Sequence, residues 1–200
     1  MNETRAARWS RPEHQRKDHS PMTPENQFAA WWLFKRGADW RSLGNGGYDE
    51  ASAELATVLD HPNDGVTVRG IYTSLGLSAE ADVIVWAHAP RVDQLQQFAI
   101  AIDRTSLGAH LDQVANYIGV GGMSQYDPTH GPAFLKGLPA KDFLSVYPFT
   151  KTPDWYLVDY KERQRLMIEH GEMGREFPDI LTNTVNSFGI QTQEFVVALE

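Results

Sequence analysis

The sequence predicts an α+β fold in which one arrangement of elements is built twice. Two observations carry this. The order β-α-β-β-α over residues 28–102 begins again as β-α-β-β over residues 143–199, and a long Gly- and Pro-rich connection separates the two runs. Each run is most of a ferredoxin-like repeat, and the second lacks its last helix and strand.

The elements follow from residue pattern. Residues 1–24 are polar and locally basic without periodicity, which predicts a mobile tail; His14 and His19 within it have no supporting metal ligands. The N-terminal half spans 25–110. Phe28 to Phe34 is an aromatic run with strand character, followed by the glycines of 44–47. Tyr48 to Leu59 has helical spacing, with Tyr48, Leu55, Val58 and Leu59 near one face. Val66 to Tyr72 alternates as a strand, and Ala81 to Ala87 (ADVIVWA) is a buried strand. Pro90 can start a helix whose stripe is Leu95, Phe98, Ala99 and Ile102. Residues 111–140 form the connecting segment, with room for a strand around 117–120. In the C-terminal half, 141–200, Phe143 to Phe149 is a strand and Val158 to Phe177 mostly helix. Thr184 to Phe188 and Glu194 to Leu199 are strands joined by a turn at 189–192.

Composition excludes several classes of function. The chain of 200 residues has no cysteine, so disulfides, thiolate catalysis, iron–sulfur clusters and Cys-held zinc are ruled out, which fits the cytosol. A net charge of −8 argues against nucleic acid as a partner. No apolar run has membrane-spanning length, and the polar first residues show no apparent secretory signal. Six Trp and nine Phe fit either a well-packed core or a pocket for a flat ligand.

Three residues stand out chemically. His170 shares a helix face with Met167, Met173, Gly174 and Phe177, where Gly171 and Gly174 leave room. Such a histidine is either a core residue or an iron ligand for a macrocycle lying against the helix. Tyr147 precedes Pro148 at the end of a strand, and Lys151 follows four residues on, able to pair with a carboxylate. His130 sits in the loop DPTHGPAF, stiffened by prolines, and a histidine there can exchange a proton near neutral pH. No GxSxG, Walker A, HExxH or zinc spacing competes, and GVGG at 119–122 lacks the helix start a phosphate loop needs.

The combination YPFTKTPDWYLV, ERQRLMIEHGEMGRE and TNTVNSFGIQTQEFVVALE resembles the chlorite dismutase-like haem protein family, strongly over 115–200 and more weakly over 28–110. The resemblance implies two ferredoxin-like halves fused into a dimeric α+β barrel, assembled as a homopentamer, with an iron porphyrin in the second half. Within the family it points to the branch of actinobacterial type that uses hydrogen peroxide to convert coproheme to haem b by removing two propionates. Coproheme would then be both substrate and redox cofactor, supplied by a coproporphyrin ferrochelatase. On this resemblance His170 is the proximal iron ligand, Tyr147 the radical-forming tyrosine, and His130 the base that deprotonates peroxide. Lys151 is the basic residue near the propionate that Tyr147 attacks and Trp155 an aromatic of the pocket, while Met167 and Gly174, on the helix face of His170, would border the macrocycle. A chlorite-converting member carries an Arg after the proximal helix, and no Arg occurs between 176 and 200. A chlorite- or peroxidase-like enzyme and a non-catalytic porphyrin carrier are the alternative readings.

Overall fold

A computed structural model describes residues 26–127 and 129–200; the expected tail, with His14 and His19, lies outside the described residues. The chain orders strands β1 (Gln27–Arg36), β2 (Thr67–Thr73), β3 (Val83–Ala89), β4 (Leu111–Gly121), β5 (Ser145–Phe149), β6 (Thr182–Asn186) and β7 (Phe195–Leu199) with helices α1 (Gly44–Asp60), α2 (Val92–Asp103), α3 (Pro153–Leu157) and α4 (Tyr160–Gly174). All strands pair antiparallel in one sheet of order β2-β3-β1-β4-β6-β7-β5.

That order contains the duplication. β4-β1-β3-β2 is a complete ferredoxin-like sheet, so the strand expected around 117–120 is longer than expected and pairs with β1 along ten residues. β6-β7-β5 repeats the same pattern without a fourth strand beside β5. α2 begins at Val92 rather than Pro90, because the backbone N–H of Arg91 donates to the Gln94 side chain and sets the cap there. α1 extends back through the glycines to Gly44, where a glycine tolerates the positive φ of 61°.

β1 is buried on both faces, which explains its unbroken apolar run. On the outer face Ala30, Trp32 and Phe34 pack with Leu95, Phe98 and Ile102 of α2 and Leu59 of α1. On the inner face Ala29 and Trp31 meet Trp86, Phe134, Val185, Val196 and Ala198, so this second cluster joins the two halves. Trp31 and Trp86 lie 5.0 Å apart between ring centroids. The halves are stitched at β4–β6, where Gly119 permits the approach: a Cβ there would sit 2.6 Å from the Val185 side chain. Gln191 completes the seam, accepting from the Ile118 N–H at 3.0 Å and donating to the Asn116 carbonyl at 3.2 Å. The glycines of GVGG thus serve a strand seam, not a phosphate.

The sheet curls so that inward side chains of β2 reach the second half, although its edges β2 and β5 do not pair among the described residues. At a register shift in β2, Arg69 turns inward over the Trp86 ring, 5.0 Å from its centroid, and bonds the buried Glu200 carboxylate at 2.6 and 2.9 Å. Tyr72 and Asn183 donate to the same carboxylate.

His88 of β3 also faces inward, against Phe134 and beside the Gln27 side chain. Burial, and then the charge of Arg69, push its pKa down to about 4. The fold therefore holds the imidazole neutral while the unfolded chain takes up a proton near pH 6.5. Stability from this group is complete above about pH 6.5, falls as pH drops, and stops falling below about 4. The integrated loss is at most about 3 kcal/mol. Chemical denaturation at pH 7, 5 and 4 should show a smaller acid-induced loss in His88→Gln than in the parent protein; identical slopes would rule out this coupling.

Candidate functional site

The two halves treat their helices differently. α2 buries Leu95, Phe98 and Ile102 against the sheet, each contributing about 1.5–3 kcal/mol. No residue of α4 is fully buried. Its stability comes from local terms: Asp159 accepts from the Lys161 N–H at its start, and Arg165 bridges Glu162 and Glu169 along its outer face. The outer face of β6-β7-β5 is correspondingly under-covered. Strand pairing aligns Tyr147 with Val197 and Thr184, and Phe149 with Phe195 and Asn186, on that face. Tyr147 remains 44% exposed there. That face is therefore partly open to solvent beside α4.

The structure places the expected residues around this face in two groups. At one end, His130 from the connecting segment and His170 and Met167 from α4 border one cleft with Ser124, Tyr126 and Arg175. The cleft measures about 50 Å³, room for a small molecule rather than a macrocycle, which would have to lie on the open face beside it. Tyr126 stacks on Tyr160 at 5.8 Å, and the Gln164 amide donates to the Tyr126 carbonyl, which ties the segment to α4. Gly174 is the last residue of α4 and does not border the cleft. Helix geometry ends there, before Phe177, so the face expected to include Phe177 is shorter than its spacing predicts.

The other group gathers where β5 meets α3. Lys151 makes no salt bridge to a carboxylate among the described residues. Its Nζ lies 4.1 Å from the Trp155 ring centroid and 5.2 Å from that of Phe195, a cation held over aromatic faces. Burial lowers its pKa, the charge of Glu194 opposes this, and the charge of Arg163 adds to the lowering. Glu194 instead accepts from the Lys151 backbone N–H at 3.0 Å and from the Tyr156 hydroxyl at 2.5 Å. Desolvation and that carboxylate push the Tyr156 phenol up to about 12. Tyr147 stands at the centre of β5 rather than at its end. Pro148 is tolerated beside it because β5 is an edge strand that pairs only with β7.

Comparison with known proteins assigns this arrangement a lineage. The family model for chlorite dismutase matches residues 48–200. The chain belongs to the chlorite dismutase family. Within reach of this chain are a coproheme decarboxylase from Mycolicibacterium smegmatis, 37% identical over 161 residues covering 78% of this chain and 70% of the relative. A coproheme decarboxylase from Staphylococcus carnosus is 26% identical over 162 residues, covering 73% of this chain and 63% of its own length. Among solved structures, a chlorite dismutase variant from Candidatus Nitrospira defluvii superposes with a TM-score of 0.77 at 24% identity, over 87% of this chain and 76% of the other. The same organism's chlorite dismutase in complex with imidazole gives 0.76 at 24% identity over the same shares. These structures share the fold.

Membership of the chlorite dismutase family makes the donor set worth testing against an iron porphyrin. Among the described residues, no three His, Asp or Glu converge into an all-protein metal site. An iron bound through His170 must bring its remaining ligands with it, as a porphyrin does. The partly open sheet face around Tyr147, the apolar ring faces of Phe149 and Phe195 stacked at 4.9 Å, and the cations Lys151 and Arg163 suit a disc with acidic edges. Glu194, Tyr156, Tyr126, Tyr160 and Arg163 were invisible as site residues from sequence. Glu194 reads locally as the first residue of a strand, and only its pairing across the sheet brings it to Lys151.

Proposed function

We propose that this protein is a coproheme decarboxylase, which uses hydrogen peroxide to convert coproheme to haem b by removing two propionates. The observation that carries the reading is Tyr147, half-exposed at the centre of the sheet face that α4 leaves uncovered. Relatives bearing the same activity in their names support it.

The iron porphyrin, when bound, supplies the redox chemistry that draws on peroxide; the chain supplies position, protons and a tyrosine. His170 on α4 would hold the iron. His130 would be the base that takes a proton from peroxide, on the side of the macrocycle away from His170. Tyr147 gives up its phenolic hydrogen as a radical and then takes a hydrogen atom from the adjacent propionate. Each propionate, with one peroxide and one proton, yields a vinyl group, carbon dioxide and two waters. Lys151 and Trp155 hold the macrocycle's acidic edge near Tyr147, and Met167 and Gly174 border it along α4. The reading carries with it a homopentameric assembly, a cytosolic setting consistent with the absence of cysteine, and a coproporphyrin ferrochelatase as the source of substrate.

Stepwise addition of peroxide to the protein with ferric coproheme should give a mono-decarboxylated species and then haem b by chromatography and mass. Tight binding without loss of mass would replace the enzyme by a porphyrin carrier, and turnover of chlorite under the same conditions would replace it by a chlorite-converting relative. His170→Ala should remove the imidazole-bound ferric spectrum and weaken coproheme binding by at least about tenfold. An unchanged spectrum would take His170 out of the site.

A further inference from the structure

The two halves share a short motif as well as an element order. FKRGADW, residues 34–40, and FTKTPDW, residues 149–155, align without gaps: Phe34 with Phe149, the cation Arg36 with Lys151, Asp39 with Asp154 and Trp40 with Trp155. The structure gives both copies the same frame. The Asp82 N–H donates to the Phe34 carbonyl at 2.8 Å, and the Glu194 N–H donates to the Phe149 carbonyl at 3.3 Å, so the two carboxylates correspond. Each carboxylate then accepts from a backbone N–H at 3.0 Å, Asp82 from Arg36 and Glu194 from Lys151. Each cation also lies over its tryptophan, Arg36 at 5.9 Å from the Trp40 ring centroid and Lys151 at 4.1 Å from that of Trp155.

The side-chain ion pair is what differs. Arg36 closes it, with Nε 3.1 Å from the Asp82 carboxylate. Lys151 leaves it open among the described residues. Reach does not explain this. A lysine ammonium stands one bond farther from its backbone than an arginine Nε, and glutamate adds one methylene to aspartate. The residue after each tryptophan does explain it. In the first copy that residue is Arg41, which makes no ion pair with Asp82 among the described residues. In the second it is Tyr156, whose hydroxyl donates to Glu194 Oε2 at 2.5 Å, so that this oxygen has two donors. The phenol, pushed up to about 12 by desolvation and by that carboxylate, keeps its proton at neutral pH.

We propose that the Tyr156 hydroxyl holds the Glu194 carboxylate away from the Lys151 ammonium, and so keeps that cation unpaired over Trp155 and Phe195. A half-buried cation without a carboxylate partner is unfavourable by itself, and a released Glu194 would close on it. Tyr156 acts through Glu194 and is a positioning residue. The consequence for the reaction rests on the porphyrin reading above: a cation closed on its carboxylate, as Arg36 is on Asp82, is not free to meet the acidic edge of a macrocycle.

The test titrates Lys151 in the full chain without any porphyrin, by NMR of carbon-13 dimethylated lysines, with Lys151→Arg to assign its signal. Tyr156→Phe should raise the Lys151 pKa by about one pH unit, the scale of an opposite charge brought into contact. Arg163, the other charge that acts on Lys151, is the same in every variant. In a Glu194→Gln background the same substitution should leave Lys151 unmoved, because the carboxylate it would release is gone. Iron-free coproporphyrin, read by its fluorescence, should bind about fivefold more weakly to Tyr156→Phe than to the parent. An unmoved Lys151 in Tyr156→Phe, or an equal shift with and without Glu194, would overturn the lock; circular dichroism equal to the parent's shows that neither result comes from unfolding. Equal coproporphyrin affinity in Tyr156→Phe and the parent would overturn its positioning role. A parent that binds no coproporphyrin would overturn the functional reading and leave the lock standing, since the lysine titration involves no ligand.

Discussion

Tyr147→Phe should bind ferric coproheme as the parent does and lose decarboxylation by at least about a hundredfold, the lower end of what a directly reacting side chain contributes. The substitution removes one hydroxyl and nothing else the fold needs. Among the described residues that hydroxyl makes no hydrogen bond within the protein, the ring stays 44% exposed, and β5 is held to β7 through its backbone. Stability should therefore change little, and a lost activity could not be blamed on unfolding. The other tyrosines of the second half are poor substitutes. Tyr156 donates its hydroxyl to Glu194, and Tyr160 donates to the Gln125 carbonyl, so both phenolic protons are already committed. Tyr147 alone in that half offers a free phenol on the open face. Product analysis by mass after peroxide addition checks the prediction; full conversion to haem b in the variant would remove Tyr147 from the chemistry.

Much of this was legible in the sequence because the signals are local. Alternation in VRGIYT and the apolar ADVIVWAHA predict β2 and β3, and the stripe Leu95, Phe98 and Ile102 predicts α2 together with the face it buries. The duplication was legible as element order. What failed had a common cause: properties set by pairing partners far away in the chain. β4 was underestimated because its first half is polar and faces water at Asp112, Gln113 and Asn116, so only the pairing with β1 marks it as strand. Lys151 reads from sequence only as able to pair with a carboxylate; its place over Trp155 and Phe195 is set by α3 and β7. His170 and Met167 share a helix face as their spacing implies, but that no residue of the helix would be fully buried cannot be read from α4 alone. It is a property of the half-sheet opposite. His88 and Arg69 gave no signal either, since a histidine or arginine inside an alternating strand looks the same whether it faces water or the curl of a sheet.

Arg69→Ala should be the most destabilising single change outside the core, by about 3–5 kcal/mol. For a chain of this size that lowers the melting temperature by roughly 10 °C. Arg69 is buried with Glu200, bonds both the carboxylate and the Leu138 carbonyl, and covers the Trp86 ring. Removing it strands a buried carboxylate whose remaining partners, Tyr72, Asn183 and the Lys141 N–H, donate hydrogen bonds but carry no balancing charge. The contact also spans the molecule: Arg69 belongs to β2, and Glu200 follows β7, so the pair braces the curl that brings the halves' inner faces together. Because much of the penalty comes from the unpaired survivor, Arg69→Met combined with Glu200→Leu should recover most of the loss, since an apolar pair leaves no buried charge. Thermal melts of both singles and the double form the cycle. Additive losses in the double variant would show that the two side chains do not act as a pair, and a melting temperature within a degree of the parent for Arg69→Ala would show that the curl is held by the Trp31–Trp86 core alone.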